Sequence, residues 1–325
     1  MGLAEQTNAI LNGDRRALAQ AITLVESTRD DHREQARELL QFLAKSNRQA
    51  LRVGLSGTPG VGKSTFTEAF GMMLIDLGLK VAVLAVDPSS SISGGSILGD
   101  KTRMEQLSRE KNAFIRPSPS QTALGGVTRR TRESIALCEA AGFDVILVET
   151  VGVGQSETMV ADMTDVFLLL LAPAGGDELQ GVKRGIMEIA DMILVNKADG
   201  DLKSTAMRTC ADYAGALRLM RKRPQDPEGF PKAMPISSLE HHGLDKVWAE
   251  ISELAEWRKS SGVLEKRRRE QALIWFQAEV ESGALARLKS DKAISQAWKS
   301  LEKLVIEGKT APEAAAKQLL DMFAK

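Results

Sequence analysis

The chain has 325 residues, and its 43 Lys and Arg balance 43 Asp and Glu, so no global field draws in nucleic acid or an anionic membrane. With 43% hydrophobic and 26% charged residues, it is neither a disordered nor a collagen-like chain. At roughly 150 residues per domain it makes one large or two unequal units with a sizeable core.

Residues 1–48 are predicted to form a helical extension. The segment is polar, Leu18, Ile22 and Val25 recur at helical spacing, and Asp14 and Asp30 stand where caps belong. The opening MGLAEQTNAI has no basic stretch followed by an apolar core, and Gln6 stands where a myristoylation signal carries Ser or Thr, so no targeting segment is read. The longest strongly apolar run, 166–172, is about a third of the ~20 residues a membrane helix needs. The expectation is a soluble, cytoplasmic protein with neither membrane nor nucleic-acid partners. Cys138 and Cys210 form no ligand-spaced pair, which fits a reducing interior and argues against a disulfide scaffold or zinc ribbon.

Over 49–260 the texture changes to short apolar runs at 52–55, 80–86, 144–148, 166–171, 192–195 and 233–236, most of them separated by amphipathic stretches. Strands this uniformly apolar belong to parallel sheets covered by helices on both faces. The prediction is an α/β fold, a doubly wound and mainly parallel sheet flanked by helices, with helical N- and C-terminal extensions. Beyond 261 no strand is read. Ile294, Trp298, Leu301 and Val305 are spaced four, three and four, a heptad-like seam that suits either a helical hairpin packing on its own core or a dimer-forming arm over 261–325. The basic run within 265–270 reads either as a docking patch or as a solvated helix face.

The chemistry begins after the first strand. Gly57-Thr-Pro59-Gly60-Val61-Gly62-Lys63-Ser64 matches the GxxxxGKS phosphate loop between an apolar strand and a helix, the mark of a P-loop NTPase. Its glycines let backbone N–H groups turn around a phosphate, and the helix N-terminus adds partial positive charge. Lys63 reaches the β and γ oxygens, Ser64 ligates Mg²⁺, and Thr65 extends the same binding turn. Asp87, in Val-Asp-Pro-Ser-Ser, either orders water or Mg²⁺ or starts a turn. The glycine-rich stretch through Gly94, Gly99, Asp100 and Arg103 reads as a mobile first switch. In it Asp100 can approach the metal, and Arg103 either touches phosphates or forms a surface ion pair.

Glu149 closes the strand begun at 144, and Gly152 beyond it is placed to sense a γ-phosphate, which makes this stretch a second switch. Val153 stands where a Ras-like GTPase carries its water-orienting Gln, and the nearest glutamine is Gln155, so slow unaided hydrolysis is predicted. The loop at 175–184, with Asp177, Gln180 and Lys183, reads either as a third switch or as a strand-to-helix connection capped by Asp177.

Asn196-Lys197-Ala-Asp199 follows the strand at 192–195, on the same carboxyl edge as the phosphate loop. Asp199 can accept from N1–H and the exocyclic amine of guanine, Asn196 can meet the other base edge and pin loops, and the stem of Lys197 can cover the base. Adenine leaves that carboxylate unpaired, so GTP is preferred to ATP. Ser237-Ser238-Leu239 stands where backbone N–H groups close a base pocket.

These strings together resemble the MeaB/ArgK-type GTPases of the SIMIBI class, which accompany adenosylcobalamin-dependent methylmalonyl-CoA mutase. The resemblance rests on GTPGVGKST, VDPSS, SGGSILGDKTRM, AFIRPSPS, LGGVTRRT, ETVGVGQSE, GGDELQGVKRG and NKAD, and spans nearly the whole chain. It implies a GTP-hydrolysing chaperone that gates cofactor delivery to the mutase and protects it from inactivation, slow alone and stimulated by its partner. It implies Mg²⁺ and GTP or GDP as ligands, with no cobalamin bound by this chain itself. Carried over by motif, Lys63 and Ser64 bind phosphate and metal, and Asp87, Asp100 and Glu149 complete the acidic Mg²⁺ sphere. Gln180 and Lys183 relay partner binding to the nucleotide site, and a homodimer forms through the C-terminal arm. Ser238 departs from the Ala common in the family; a backbone contact survives that change, so little effect is expected.

Rival readings are a nickel metallochaperone GTPase of the same class, an ATP-dependent kinase linked to amino-acid transport, and a scaffold without turnover. His32, His241 and His242 neighbour neither cysteine, which argues against the first; NKAD argues against the second. In the third, Lys63→Ala would leave function intact.

Overall fold

The computed structural model describes residues 2–86, 104–117, 124–150, 156–173, 184–220, 223 and 226–323. Helices α1 (Leu3–Leu11), α2 (Arg15–Glu26) and α3 (Asp30–Leu43) precede the sheet. Then β1 (Leu51–Gly57), α4 (Lys63–Asp76), β2 (Val81–Val86), α5 (Glu105–Arg109), β3 (Ala113–Arg116), α6 (Leu124–Ala140) and β4 (Val145–Thr150) follow. Next come α7 (Ser156–Ala161), β5 (Val166–Leu171), α8 (Arg184–Ile189), β6 (Met192–Val195), α9 (Lys203–Leu219), β7 (Lys232–Pro235) and α10 (Leu244–Ser260). Helices α11 (Val263–Ser290), α12 (Lys292–Ile306) and α13 (Pro312–Phe323) end the described chain.

The seven strands form one sheet in the order β3-β2-β4-β1-β5-β6-β7, with every neighbouring pair parallel. The chain enters at the middle, winds out to β3, returns to β4 and then builds the other half. The carboxyl end of β1 therefore lies between β4 and β5, at the switch point where open α/β sheets bind ligands. Every residue of β4, β5 and β6 is buried, as a sheet covered on both faces requires. On one face Phe66 and Phe70 of α4 stack with centroids 5.1 Å apart, and Trp248 of α10 meets Phe70 edge-on at 6.2 Å.

Sequence periodicity locates β5 and β6 and places the runs of β1, β2, β4 and β7 within two residues at each end. It passes over β3, an edge strand paired with β2, because its three apolar residues end at Arg116 and make a shorter apolar run than the four of β6. The extension behaves as read, with Leu18, Ile22 and Val25 buried and Asp14 capping α2 by accepting from the Ala17 N–H at 2.8 Å. Asp30 is not a cap. It lies inside the first turn of α3, whose N-cap is Arg29, so it acts through the helix dipole rather than by capping.

At the amino edge, opposite the phosphate loop, lies a buried charge network that sequence reasoning missed. Arg258 of α10 donates to Asp191 Oδ1 at 2.7 Å, to Asp226 Oδ1 at 2.6 Å and to the Asp165 carbonyl at 2.5 Å. Arg223 lies 3.1 Å from the same Asp191 oxygen, and Asp191 Oδ2 accepts from the Phe167 N–H at 2.8 Å. Burial pushes the Asp191 carboxyl up, but Arg258 and Arg223 more than offset that, and its pKa lies below the usual value. A depressed folded-state pKa stabilises the fold above the unfolded value of about 3.9, and that stabilisation disappears as pH falls through the folded value. Urea midpoints measured from neutral pH down to about 3 should show an acid-limb loss in the wild type that is shallower in Asp191→Asn; equal slopes would show the network to be silent.

Among the described residues the chain divides into compact units at Met1–Arg267 and Arg268–Lys325. In the second, Leu288, Ile294, Leu301, Ala315 and Leu319 form a small core with Trp298 and Val305 packed against it. Asp291 caps α12 through the Ala293 and Ile294 N–H groups at 2.8 and 3.0 Å. The heptad-like seam therefore packs within the chain as a hairpin of α12 on α13. No helix of the described residues is long and apolar enough to cross a membrane.

Candidate functional site

The phosphate loop joins β1 to α4 as its motif requires. Gly57 faces Leu170 of β5, and a Cβ added there would come within 2.4 Å of the Leu170 carbonyl oxygen and 3.1 Å of Val61. Gly60 and Gly62 have φ of 79° and 92°, the left-handed region that only glycine enters freely. Thr58, Pro59 and Gly60 are exposed at the crest, Val61 is buried beneath it, and Thr65 is exposed on α4. Because the first helical N–H groups have no carbonyl partner within the helix, the opening turn of α4 directs donors into the loop. Gly57→Ala should cost about 1–3 kcal/mol through the backbone clash; a nucleotide-free melt unchanged by the substitution would show that the strand can shift.

Lys63 Nζ donates to the carbonyls of Gly57 at 2.6 Å and Thr58 at 3.3 Å. Burial pushes its ammonium pKa down, while the carboxylates of Glu149 and Glu157 push it back up. Glu149, 5% exposed, stands on β4 between Leu55 and Ala85 of its neighbouring strands. Its Oε1 lies 3.5 Å from Ser64 Oγ, and its Oε2 accepts from Thr67 Oγ1 at 2.9 Å. Beside them, Thr150 Oγ1 donates to Ser56 Oγ at 3.0 Å. A hydroxyl and a carboxylate converging at the end of a phosphate loop form a hard-oxygen donor set, and that chemistry fits Mg²⁺. Thr67 was not singled out from the sequence. It stands one helical turn after Ser64, and that spacing was the available signal.

The base side is joined to the phosphate loop by side chains. Asn196, 2% exposed, donates from Nδ2 to the Val61 carbonyl at 2.9 Å. Its Oδ1 accepts from the Ser238 N–H at 3.0 Å and from Ser238 Oγ at 2.8 Å. Lys197, with φ of 59°, turns the other way, and its Nζ donates to the Gly60 carbonyl at 2.8 Å. Ser237 Oγ donates to Asp199 Oδ2 and accepts from the Glu240 N–H at 3.0 Å. The Asp199 side chain makes no capping bond to the following turn, so the carboxylate is not used as a helix cap. Leu239 is exposed at the rim.

Lys63, Ser64, Glu149, Asn196, Lys197, Asp199, Ser237 and Ser238 thus gather at the carboxyl edge. Asp87, Asp100, Arg103, Gly152, Val153, Gln155, Asp177, Gln180 and Lys183 lie outside the described residues. Cys138 and Cys210 are separately buried thiols, and the described residues hold no group of three or more His, Cys, Asp or Glu able to bind a metal.

The chain is similar to known proteins over most of its length. The family described as methylmalonyl Co-A mutase-associated GTPase MeaB matches residues 18–293. The chain belongs to the MeaB family. A putative GTPase of Caulobacter vibrioides is 52% identical, the match covering 97% of this chain and 95% of the relative. The mouse methylmalonic aciduria type A homolog, mitochondrial, is 49% identical over 97% of this chain and 78% of its own length. A crystal structure described as that of a LAO/AO transport system kinase has 38% identity and a TM-score of 0.76, covering 99% of this chain and 98% of that one. The P-loop fold and the MeaB assignment therefore stand on motif, topology and similarity together.

Proposed function

We propose that this MeaB-family chain hydrolyses GTP to GDP and phosphate as a chaperone of adenosylcobalamin-dependent methylmalonyl-CoA mutase, gating cofactor delivery and protecting the mutase from inactivation. The observation that carries the nucleotide part is the pair of bonds from Asn196 to Val61 and from Lys197 to Gly60, which bring a guanine-reading motif onto a phosphate loop. The mutase as partner is supported by the family match.

In this reading the loop N–H groups and the Lys63 ammonium hold the phosphates, and Asp199 reads the guanine edge. Ser64 and Glu149, with Asp87 and Asp100, hold Mg²⁺, which when bound neutralises charge on the phosphate oxygens. Water attacks the γ-phosphorus as the bond to the GDP oxygen breaks. Gln155, the glutamine nearest the position where a Ras-like GTPase carries its water-orienting Gln and this chain has Val153, orients that water, and unaided turnover is slow. Gly152 senses the γ-phosphate, and Asp177, Gln180, Lys183 and Arg103 belong to the switches that pass partner binding to the site. Residues 1–48 serve as an extension, 49–260 as the GTPase domain and 261–325 as the arm.

The test is the GTP hydrolysis rate of the pure protein, alone and with purified mutase. Marked stimulation that disappears in Lys183→Ala supports the reading, whereas an unstimulated rate removes the mutase as partner. Loss of GDP preference over ADP would instead favour the kinase reading that the name of the similar transport-system structure suggests.

Homodimerisation is proposed through α11, because the hairpin uses the seam of α12. Leu273, Phe276 and Val280 are 57%, 65% and 54% exposed and lie at helical spacing on one face of α11. Phe276→Asp with Val280→Asp should convert a dimer into a monomer by light scattering; an unchanged mass would place the contact elsewhere.

A further inference from the structure

We infer that Ser238 is a positioning residue whose hydroxyl, acting through Asn196, sets how long a guanine nucleotide stays bound. The inference rests on the guanine-nucleotide reading and reverses the expectation that a Ser in place of Ala is neutral.

The hydrogen-bond chemistry assigns the Asn196 amide uniquely. The Ser238 N–H can only donate, so the Asn196 atom 3.0 Å from it is the oxygen. The Val61 carbonyl can only accept, so the atom 2.9 Å from it is the nitrogen. Two of the bonds that orient this amide, the N–H and the hydroxyl, come from Ser238. One Nδ2 proton is committed to the phosphate loop, which leaves the second for a base. The fit is tight: a Cβ on Gly62 would stand 2.8 Å from Asn196 Nδ2, so the amide has little room to rotate without losing Val61. Both Asn196 and Ser238 are at least 97% buried, at 2% and 3% exposure, and water offers little replacement for a lost bond.

Base choice runs through a separate route, since Asp199 is held by Ser237 rather than by Ser238. Removing the Ser238 hydroxyl therefore loosens the tie between base loop and phosphate loop without touching the group that distinguishes guanine from adenine. The loss of one neutral buried hydrogen bond corresponds to about three- to tenfold faster nucleotide release.

The experiment measures release of fluorescent GDP and ADP analogues from the full chain in the wild type, Ser238→Ala, Asn196→Ala and the double variant. Faster GDP release in Ser238→Ala, an unchanged GDP-to-ADP preference, and no further effect of Ser238→Ala in the Asn196→Ala background support the inference. Release at the wild-type rate, a changed base preference, or an undiminished effect in the Asn196→Ala background overturns it. Should Asn196→Ala fail to retain GDP, solvent exchange of the Asn196 side-chain amide in the GDP complex decides. Faster exchange in Ser238→Ala supports the inference, and an equal rate overturns it. Failure of the underlying guanine reading is distinguishable, because the wild type itself would then hold ADP as tightly as GDP.

Discussion

Asp199→Ala lowers GDP affinity by about 10²–10⁴-fold and leaves ADP affinity nearly unchanged. In the proposed function the carboxylate accepts from two guanine donors, and each hydrogen bond to a charged acceptor contributes roughly 1.5–3 kcal/mol. Adenine offers it no such pair, so the collapse falls on GDP alone. The substitution is not a folding lesion, because the main partner of that carboxylate is the hydroxyl of Ser237, which stays bonded to the Glu240 N–H. Competition of GDP and ADP for the wild type and the variant measures the effect. GDP affinity within tenfold of the wild type would show that Asp199 does not read the base.

Arg258→Met destabilises the fold by about 3–5 kcal/mol, the cost of leaving a buried charge without its partner. Asp191 has no exposed side-chain surface, and that of Arg258 is 1% exposed, so water cannot take over the lost bonds. For a unit of this size the melting temperature should fall by roughly 10 °C. The double variant Arg258→Met with Asp191→Asn should recover part of that loss, since only Asp226 is then left to share Arg223. The network lies at the amino edge of β5 and β6, away from the phosphate loop, so nucleotide affinity measured well below the melting temperature should stay near the wild-type value. A single-variant loss under about 1 kcal/mol would mean that Arg223, also 3.1 Å from Asp191, suffices as counterion.

Much of the site is local in sequence, and for that reason it is legible there. A phosphate loop needs consecutive residues, because its backbone N–H groups, Lys63 and Ser64 all act within one turn at the start of α4. The Asn196–Asp199 stretch is equally local, and both motifs follow strands whose carboxyl ends share one edge of a parallel sheet. The apolar runs, Gly57, Gly60 and Gly62, and the helical extensions at both ends follow from periodicity and backbone sterics in the same way.

Contacts between residues far apart in the chain, by contrast, come from three-dimensional packing alone. The Ser238 hydroxyl meets Asn196 across 42 positions, Thr67 meets Glu149 across 82, and Arg258 meets Asp191 across 67. No periodicity encodes such pairs, because they depend on the order in which strands are laid into the sheet. The seam at Ile294, Trp298, Leu301 and Val305 shows the same division. Its spacing determines an apolar helix face, but only the packing of α12 on α13 decides that this face is covered within the chain, since a heptad pattern specifies what must be buried and not what buries it.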